Sequence, residues 1–242
     1  MLIRSQKSGA SAPATPEDRL NATRARIQDA AARHGRTSAS ICLLAVSKTH
    51  PANAVRELAL LGQHDFGESY LQEALPKLDA LADLTLTWHF IGQVQSNKTA
   101  TIAERFDWVH TVDRERIARR LNDQRPAHAP ALNVCIQVQL VNEEGKGGLR
   151  PDEVPALARQ LRDLPKLRLR GLMCIPPVYD RFEDQYAVFM RLRELAEQLQ
   201  AEGMPLDTLS MGMSGDLEAA IAAGATIVRI GTALFGERPP KT

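Results

Sequence analysis

Three short stretches of the chain carry residue types that could do chemistry. In Ala45-Val46-Ser47-Lys48-Thr49 a lysine closes an apolar run. Side chains alternate along a strand, so Lys48 shares a face with Val46, Leu44 and Cys42. On an apolar floor the ammonium is desolvated and its pKa falls, and a neutral amine can add to a carbonyl carbon. Near the other end, Ser210-Met211-Gly212-Met213-Ser214-Gly215-Asp216 runs into a helical pattern over Leu217–Ala223, with Ser214 as the expected N-cap. Free backbone N–H groups and the positive end of a helix dipole there suit an anion, and Met211 and Ser214 are counted among its candidate contacts. Arg229-Ile230-Gly231-Thr232-Ala233 offers a second cup. Gly231 admits close backbone approach and Thr232 brings a hydroxyl, while Arg229 adds a guanidinium that stays charged. Read singly, each has an ordinary alternative: a strand-end lysine that snorkels to solvent, or turns that cap helices.

The elements that must position these groups decide their weight. Short apolar strands are predicted at Ile41–Ser47, His64–Gly67, Leu86–Ile91, Trp108–Val112, Leu132–Val141, Leu167–Ile175, Thr208–Met211 and Thr226–Ile230. Helical rows lie between them: Val154, Leu157, Ala158 and Leu161 within Asp152–Asp163, and Val188, Phe189, Leu192, Leu195, Ala196 and Leu199 within Phe182–Gln200. Alternating strands and helices imply parallel pairing with right-handed crossovers. Eight such units fit a single α/β (β/α)8 barrel of TIM type better than a doubly wound open sheet, and reactive groups then belong at the C-terminal ends of the strands. Closure makes strand eight the neighbour of strand one, so Lys48 faces the two cups. A ligand carrying both an aldehyde and a phosphate satisfies both, and pyridoxal 5′-phosphate (PLP) is the common one. Alternation turns Arg229 inward, where it can only donate to the ring nitrogen. An unprotonated nitrogen makes the ring a weaker electron sink than one held by a carboxylate.

Composition narrows the remaining classes. The 242 residues hold 30 Lys plus Arg against 29 Asp plus Glu, for a net charge of +1, which lacks the basic excess of a nucleic-acid binder. No apolar run reaches the ~18 residues of a membrane span. Three scattered cysteines, Cys42, Cys135 and Cys174, read as reduced thiols, and with no secretory h-region this places the protein in the cytoplasm. No metal-ligand spacing is present. Residues 1–14 read as a flexible tail, and residues 15–242 as one domain opened by an extra helix, with Thr15 as N-cap, Pro16 at its first position, and Leu20, Ile27 and Ala31 as its apolar stripe. His89 is either a mouth residue or a satisfied structural one. The polar set Asn133, Cys135, Gln137 and Gln139 is expected to line the barrel lumen, and Lys146 sits in a loop after strand five.

The stretches LLAVSKTHPANAVRELALLGQHDFGESYLQEA, WHFIGQVQSNK, FDWVHTVDR, LNVCIQVQLVNEEGKGGL, LRGLMCIPP and LSMGMSGDLEAAIAAGATIVRIGTALFG span most of the chain. In combination the chain resembles the pyridoxal phosphate homeostasis proteins, which share a barrel with the N-terminal domain of alanine racemase. The resemblance implies an internal aldimine at Lys48, phosphate contacts from Ser214, Gly231 and Thr232, Arg229 near the ring nitrogen, and Asn97 near His89. It also implies a monomer without catalytic turnover that buffers PLP or hands it to PLP-dependent apo-enzymes. The family usually reads FGENY where this chain has Phe66-Gly67-Glu68-Ser69-Tyr70, so Ser69 replaces an amide facing the cofactor. The alternative is a racemase-like enzyme, whose second acid/base would have to come from Tyr70 or Tyr179. The relatives use a tyrosine from an added β domain, for which this chain has no residues left.

Overall fold

Strands and helices alternate from end to end, as the spacing of apolar runs requires. The computed structural model describes residues 14–143, 145 and 147–236. In chain order these form α1 (Pro16–Arg33), β1 (Cys42–Val46), α2 (Ala52–Leu60), β2 (Asp65–Glu68), α3 (Leu71–Ala80), β3 (Thr87–Phe90), α4 (Thr99–Arg105), β4 (Trp108–Val112) and α5 (Glu115–Gln124). There follow β5 (Leu132–Gln137), α6 (Val154–Arg162), β6 (Leu167–Met173), α7 (Phe182–Ala201), β7 (Thr208–Ser210), α8 (Leu217–Ala222), β8 (Ile227–Ile230) and α9 (Thr232–Phe235). Each strand pairs in parallel with the next, and β8 closes on β1. That ladder sets Leu44 opposite Arg229 and Ala45 opposite Ile230, which decides for the (β/α)8 barrel over an open sheet. Residues 1–13 of the expected tail over residues 1–14, Lys146 and the last six residues of the expected domain lie outside the described residues.

The predicted helix rows are the buried faces: α6 buries Val154, Leu157, Ala158 and Leu161, and α7 buries all six positions read from its period. Between sheet and helices lies a core that includes Ala45, Phe66, Val134, Ile136 and Val228. Strand five is shorter than its apolar run. Beyond Gln137 the chain also pairs with its own returning loop, through Gln139 N to Leu149 O at 2.8 Å and Leu149 N to Gln137 O at 2.9 Å. Strand six stops before Pro176-Pro177, which lack backbone donors for a ladder.

The N-terminal helix α1 is capped as its sequence predicts. Asp18 N donates to Thr15 Oγ1 at 3.1 Å, and Thr15 N donates to Asp18 Oδ2 at 2.9 Å. The helix lies across α8 and α9, held by Arg19 Nε donating to Leu234 O at 2.7 Å and by Arg26 paired with Glu218 at 2.9 Å. It therefore backs the two elements that follow β7 and β8. Among the described residues no helix is long and apolar enough to cross a membrane, and no cluster of His, Cys, Asp and Glu could hold a metal.

Candidate functional site at the C-terminal mouth

A cavity of about 290 Å3 opens at the C-terminal ends of the strands. Its lining joins residues from both ends of the chain: Val46, Lys48 and His50 after β1, Ser69 after β2, and Met213, Ser214, Gly215, Arg229, Gly231 and Thr232 from β7 and β8 onward. Ile91 and Ile175 supply its apolar wall. The β1–β8 ladder accounts for this meeting, since Leu44 opposite Arg229 brings Val46 and Lys48 to the same rim as Gly231 and Thr232. The turn after β7 depends on Gly212, whose φ is +93° and where a Cβ would stand 2.4 Å from Ala220 Cβ. Its carbonyl accepts from Arg229 N at 2.9 Å, so this turn is tied to β8 beside the guanidinium.

Arg229 is buried and directed inward, as alternation predicts. Its Nη1 donates to Ser210 Oγ at 2.9 Å and its Nη2 to Cys174 O at 2.8 Å. Burial draws its pKa down from the ordinary guanidinium value. Asp216, at the foot of the same turn, is pushed above the usual carboxylate range by burial, against a hydrogen bond from Met213 N–H. The turn is also braced from outside, where Arg26 Nη2 donates to Ser214 O at 3.1 Å.

Several predicted residues stand elsewhere. Ser214 lines the cavity but does not cap α8; the N-cap position belongs to Asp216, two residues on. Met211 is fully buried in the core between barrel and helices, on the opposite face of its strand from Ser210, and does not line the cavity. His89 sits one layer deeper than the mouth, bonded through Nδ1 to His110 Nε2 at 2.9 Å and through Nε2 to Asp65 Oδ1 at 3.1 Å. Two residues further along, Ile91 occupies the position at the mouth. Asn97 is exposed in the turn before α4 and lines no part of the cavity. Lumen polarity along strand five is as expected, with Asn133 Oδ1 accepting from Arg170 Nη1 at 3.0 Å and Cys135 fully buried. All three cysteines are free, and burial raises each thiol to about 12.

Sequence reasoning missed a buried ion pair behind Lys48. Lys77 Nζ donates to Glu68 Oε1 at 2.7 Å and to Ser47 O at 2.8 Å, and Ser47 Oγ donates to the same Glu68 oxygen at 2.6 Å. Glu68 is wholly buried, which raises its pKa against the pull of Lys77 and Ser47. Glu68 Oε2 has no hydrogen-bond partner among the described residues. The signal was legible: Lys77 stands on the apolar row of α3 with Ala74 and Leu78. Thr49, the residue after Lys48, has φ +68°, a left-handed conformation that a β-branched residue rarely adopts. His50, also missed, stacks on Phe235 with ring centroids 4.7 Å apart.

Comparison with known proteins places this geometry among relatives. The family described as alanine racemase, N-terminal domain, matches residues 19–239. The pyridoxal phosphate homeostasis protein of Pseudomonas aeruginosa is 60% identical over 214 residues, covering 88% of this chain and 92% of that one. Its namesake from Escherichia coli K12 is 50% identical over 222 residues, covering 90% and 95%. The structure of PipY from Synechococcus elongatus with PLP bound is similar at a TM-score of 0.81 and 39% identity, covering 92% of this chain and all of that one. Alanine racemase from Corynebacterium glutamicum shares the fold alone, at a TM-score of 0.68 and 16% identity, and this chain spans 61% of its length.

Proposed function

The chain belongs to the family of pyridoxal phosphate homeostasis proteins, built on a barrel of the alanine racemase N-terminal type, and from that premise we propose that it binds PLP as a carrier and not as a catalyst. The observation that carries this reading is one cavity lined at once by Lys48, by Arg229 and by Ser214, Gly215, Gly231 and Thr232. That donor set fits the cofactor: an amine for the aldehyde, hydroxyl and backbone donors for the phosphate, and a guanidinium for the ring nitrogen. When bound, PLP supplies an electrophilic carbonyl carbon and an electron-withdrawing ring. Lys48 would be the residue that holds the aldehyde, supplying the amine for it. Ser214, Thr232 and the backbone around Gly215 and Gly231 hold the phosphate. Arg229 donates toward the ring nitrogen and keeps it an acceptor.

Ser69 lines the cavity beside these groups and offers a hydroxyl there. Met211, His89 and Asn97 are not included in the binding set, because their side chains lie off the cavity wall. Racemisation requires a second acid/base on the far ring face, and neither Tyr70 nor Tyr179 lines the cavity. The homologues are named for homeostasis, and the racemases resemble this chain in fold alone, which supports the carrier. The same reading places a monomer in the cytoplasm, delivering PLP to PLP-dependent apo-enzymes; three free thiols agree with a reducing compartment.

Absorbance titration with PLP and with pyridoxal tests this. The unphosphorylated aldehyde should bind at least roughly tenfold more weakly, because charge-assisted hydrogen bonds are lost. Equal binding of the two, or steady conversion of an amino acid that disappears in Lys48→Ala, would overturn the proposal.

A further inference from the structure

A second set of buried polar groups runs down the barrel lumen from the cavity to the opposite face. Arg229 Nη1 reaches Ser210 Oγ at 2.9 Å, and Ser210 Oγ reaches His110 Nδ1 at 2.8 Å. His110 Nε2 meets His89 Nδ1 at 2.9 Å, and His89 Nε2 meets Asp65 Oδ1 at 3.1 Å. His89, His110, Ser210 and Arg229 are all buried, whereas the Asp65 side chain is 34% exposed. Asp65 opens on a basal cavity of about 440 Å3 that Arg24, Cys42 and His64 also line. The chain thus joins two cavities at opposite ends of the barrel.

Its direction follows from donor counting. Arg229 can only donate, so Ser210 Oγ accepts from it and keeps its own O–H for His110 Nδ1. His110 then carries its proton on Nε2 and donates to His89 Nδ1. His89 likewise carries its proton on Nε2 and donates to the Asp65 carboxylate, which can only accept. Every contact is satisfied with both imidazoles neutral and in the same tautomer. The reverse direction turns a bare nitrogen of a neutral His89 toward a carboxylate, so it is open only to a doubly protonated His89. Burial above all, with the Arg229 charge beside it, holds His110 well below 6.5, which agrees with a neutral ring. The facing thiols Cys42, Cys135 and Cys174 stay protonated, and Arg170 is paired with Asp207 at 2.8 Å.

We infer that Ser210, His110 and His89 are positioning residues, forming a one-way hydrogen-bond chain anchored by Asp65 that fixes how Arg229 presents its remaining N–H groups to the cofactor cavity. The inference rests on the PLP-binding reading only for its functional consequence; the chain itself is a property of the protein without ligand. A basal carboxylate therefore controls a cavity it does not touch.

The test is long-range 1H–15N correlation of the histidine rings in the full-length protein at pH 7, without and with PLP, alongside PLP titrations. The wild type should show His89 and His110 both neutral and protonated on Nε2. Asp65→Asn, whose amide can donate or accept, should give mixed tautomers at both histidines and weaken PLP binding several-fold from the far end of the barrel. Ser210→Ala should leave both tautomers set from the Asp65 end but cut Arg229 off from them, weakening binding roughly tenfold. Ser210→Thr, which keeps the hydroxyl, should restore the binding. A proton on Nδ1 of either histidine in the wild type, or a doubly protonated ring, would overturn the inference without need of a variant. So would Asp65→Asn with unchanged tautomers. If the tautomers are as stated but PLP does not bind the wild type, the functional reading fails and the chain stands.

Discussion

Two buried polar systems flank the same cavity and are built on opposite principles. Behind Lys48, Glu68 and Lys77 meet as formal charges, with Ser47 between them. Beneath Arg229, Ser210, His110 and His89 relay neutral hydrogen bonds down the lumen. The first must be kept whole, because removing either partner strands a charge in a site that cannot hydrate it. The second carries little electrostatic cost but has a direction, so altering it should change what Arg229 presents more than whether the barrel folds. One side secures the strand end that bears the amine, and the other orients the guanidinium.

The largest expected effect comes from breaking the ion pair. Lys77→Met leaves Glu68 unpaired and should lower stability by about 3–5 kcal/mol. For a chain of this size that is roughly 2–4 °C of melting temperature per kcal/mol, read by calorimetry. Adding Glu68→Gln to Lys77→Met should recover much of the loss. No recovery would mean that the two charges are not coupled. His110→Asn should cost less, about 1–3 kcal/mol, since it leaves neutral groups unsatisfied.

The pH dependence of unfolding separates the two sides by sign. His110 is held neutral in the fold but protonates in the unfolded chain below 6.5, so its contribution falls as pH drops below that value. Glu68 has a raised pKa in the fold, so the unfolded chain loses this proton first and stability falls as pH rises above 4.5. His110→Asn and Glu68→Gln should each flatten one slope in denaturant titrations across pH 4–8, and the two slopes should be opposite. Slopes of the same sign would erase the distinction.

Smaller effects sharpen the Lys48 side. Thr49→Gly relieves a left-handed threonine and should raise stability by up to about 1 kcal/mol, while loosening the turn enough to weaken PLP binding a few-fold. A rise in both stability and affinity would show that the turn does not aim Lys48. Arg26→Ala removes a half-exposed ion pair and the brace on Ser214 O, so its stability cost should stay below about 1 kcal/mol.

The barrel was legible because strand and helix periods differ, and because alternation alone turned Arg229 inward and Lys48 onto the face of Val46. Depth along a strand was not legible. Nothing in Trp88-His89-Phe90-Ile91 says which inward residue reaches the mouth, and Ile91 takes the place that His89 was a candidate for. Met211 lies off the cavity by the alternation rule itself, since Ser210 is the inward residue of that pair. Ser214 yielded the N-cap position to Asp216 because α8 begins only at Leu217, after a turn whose length the sequence pattern leaves open. The ion pair was visible as a lysine on the buried row of α3, with Glu68 nine residues earlier at the end of β2; only the part played by Ser47 required knowing that β1 and β2 are neighbours.

The central claim is that one amine faces one anion-holding rim across a single cavity. Incubation with PLP, borohydride reduction and peptide mass mapping tests it directly. The account predicts a stable adduct on the peptide bearing Lys48, lost in Lys48→Ala and sharply reduced in Ser214→Ala/Thr232→Ala. An adduct on Lys77, Lys98 or another lysine while Lys48 stays unmodified would contradict it.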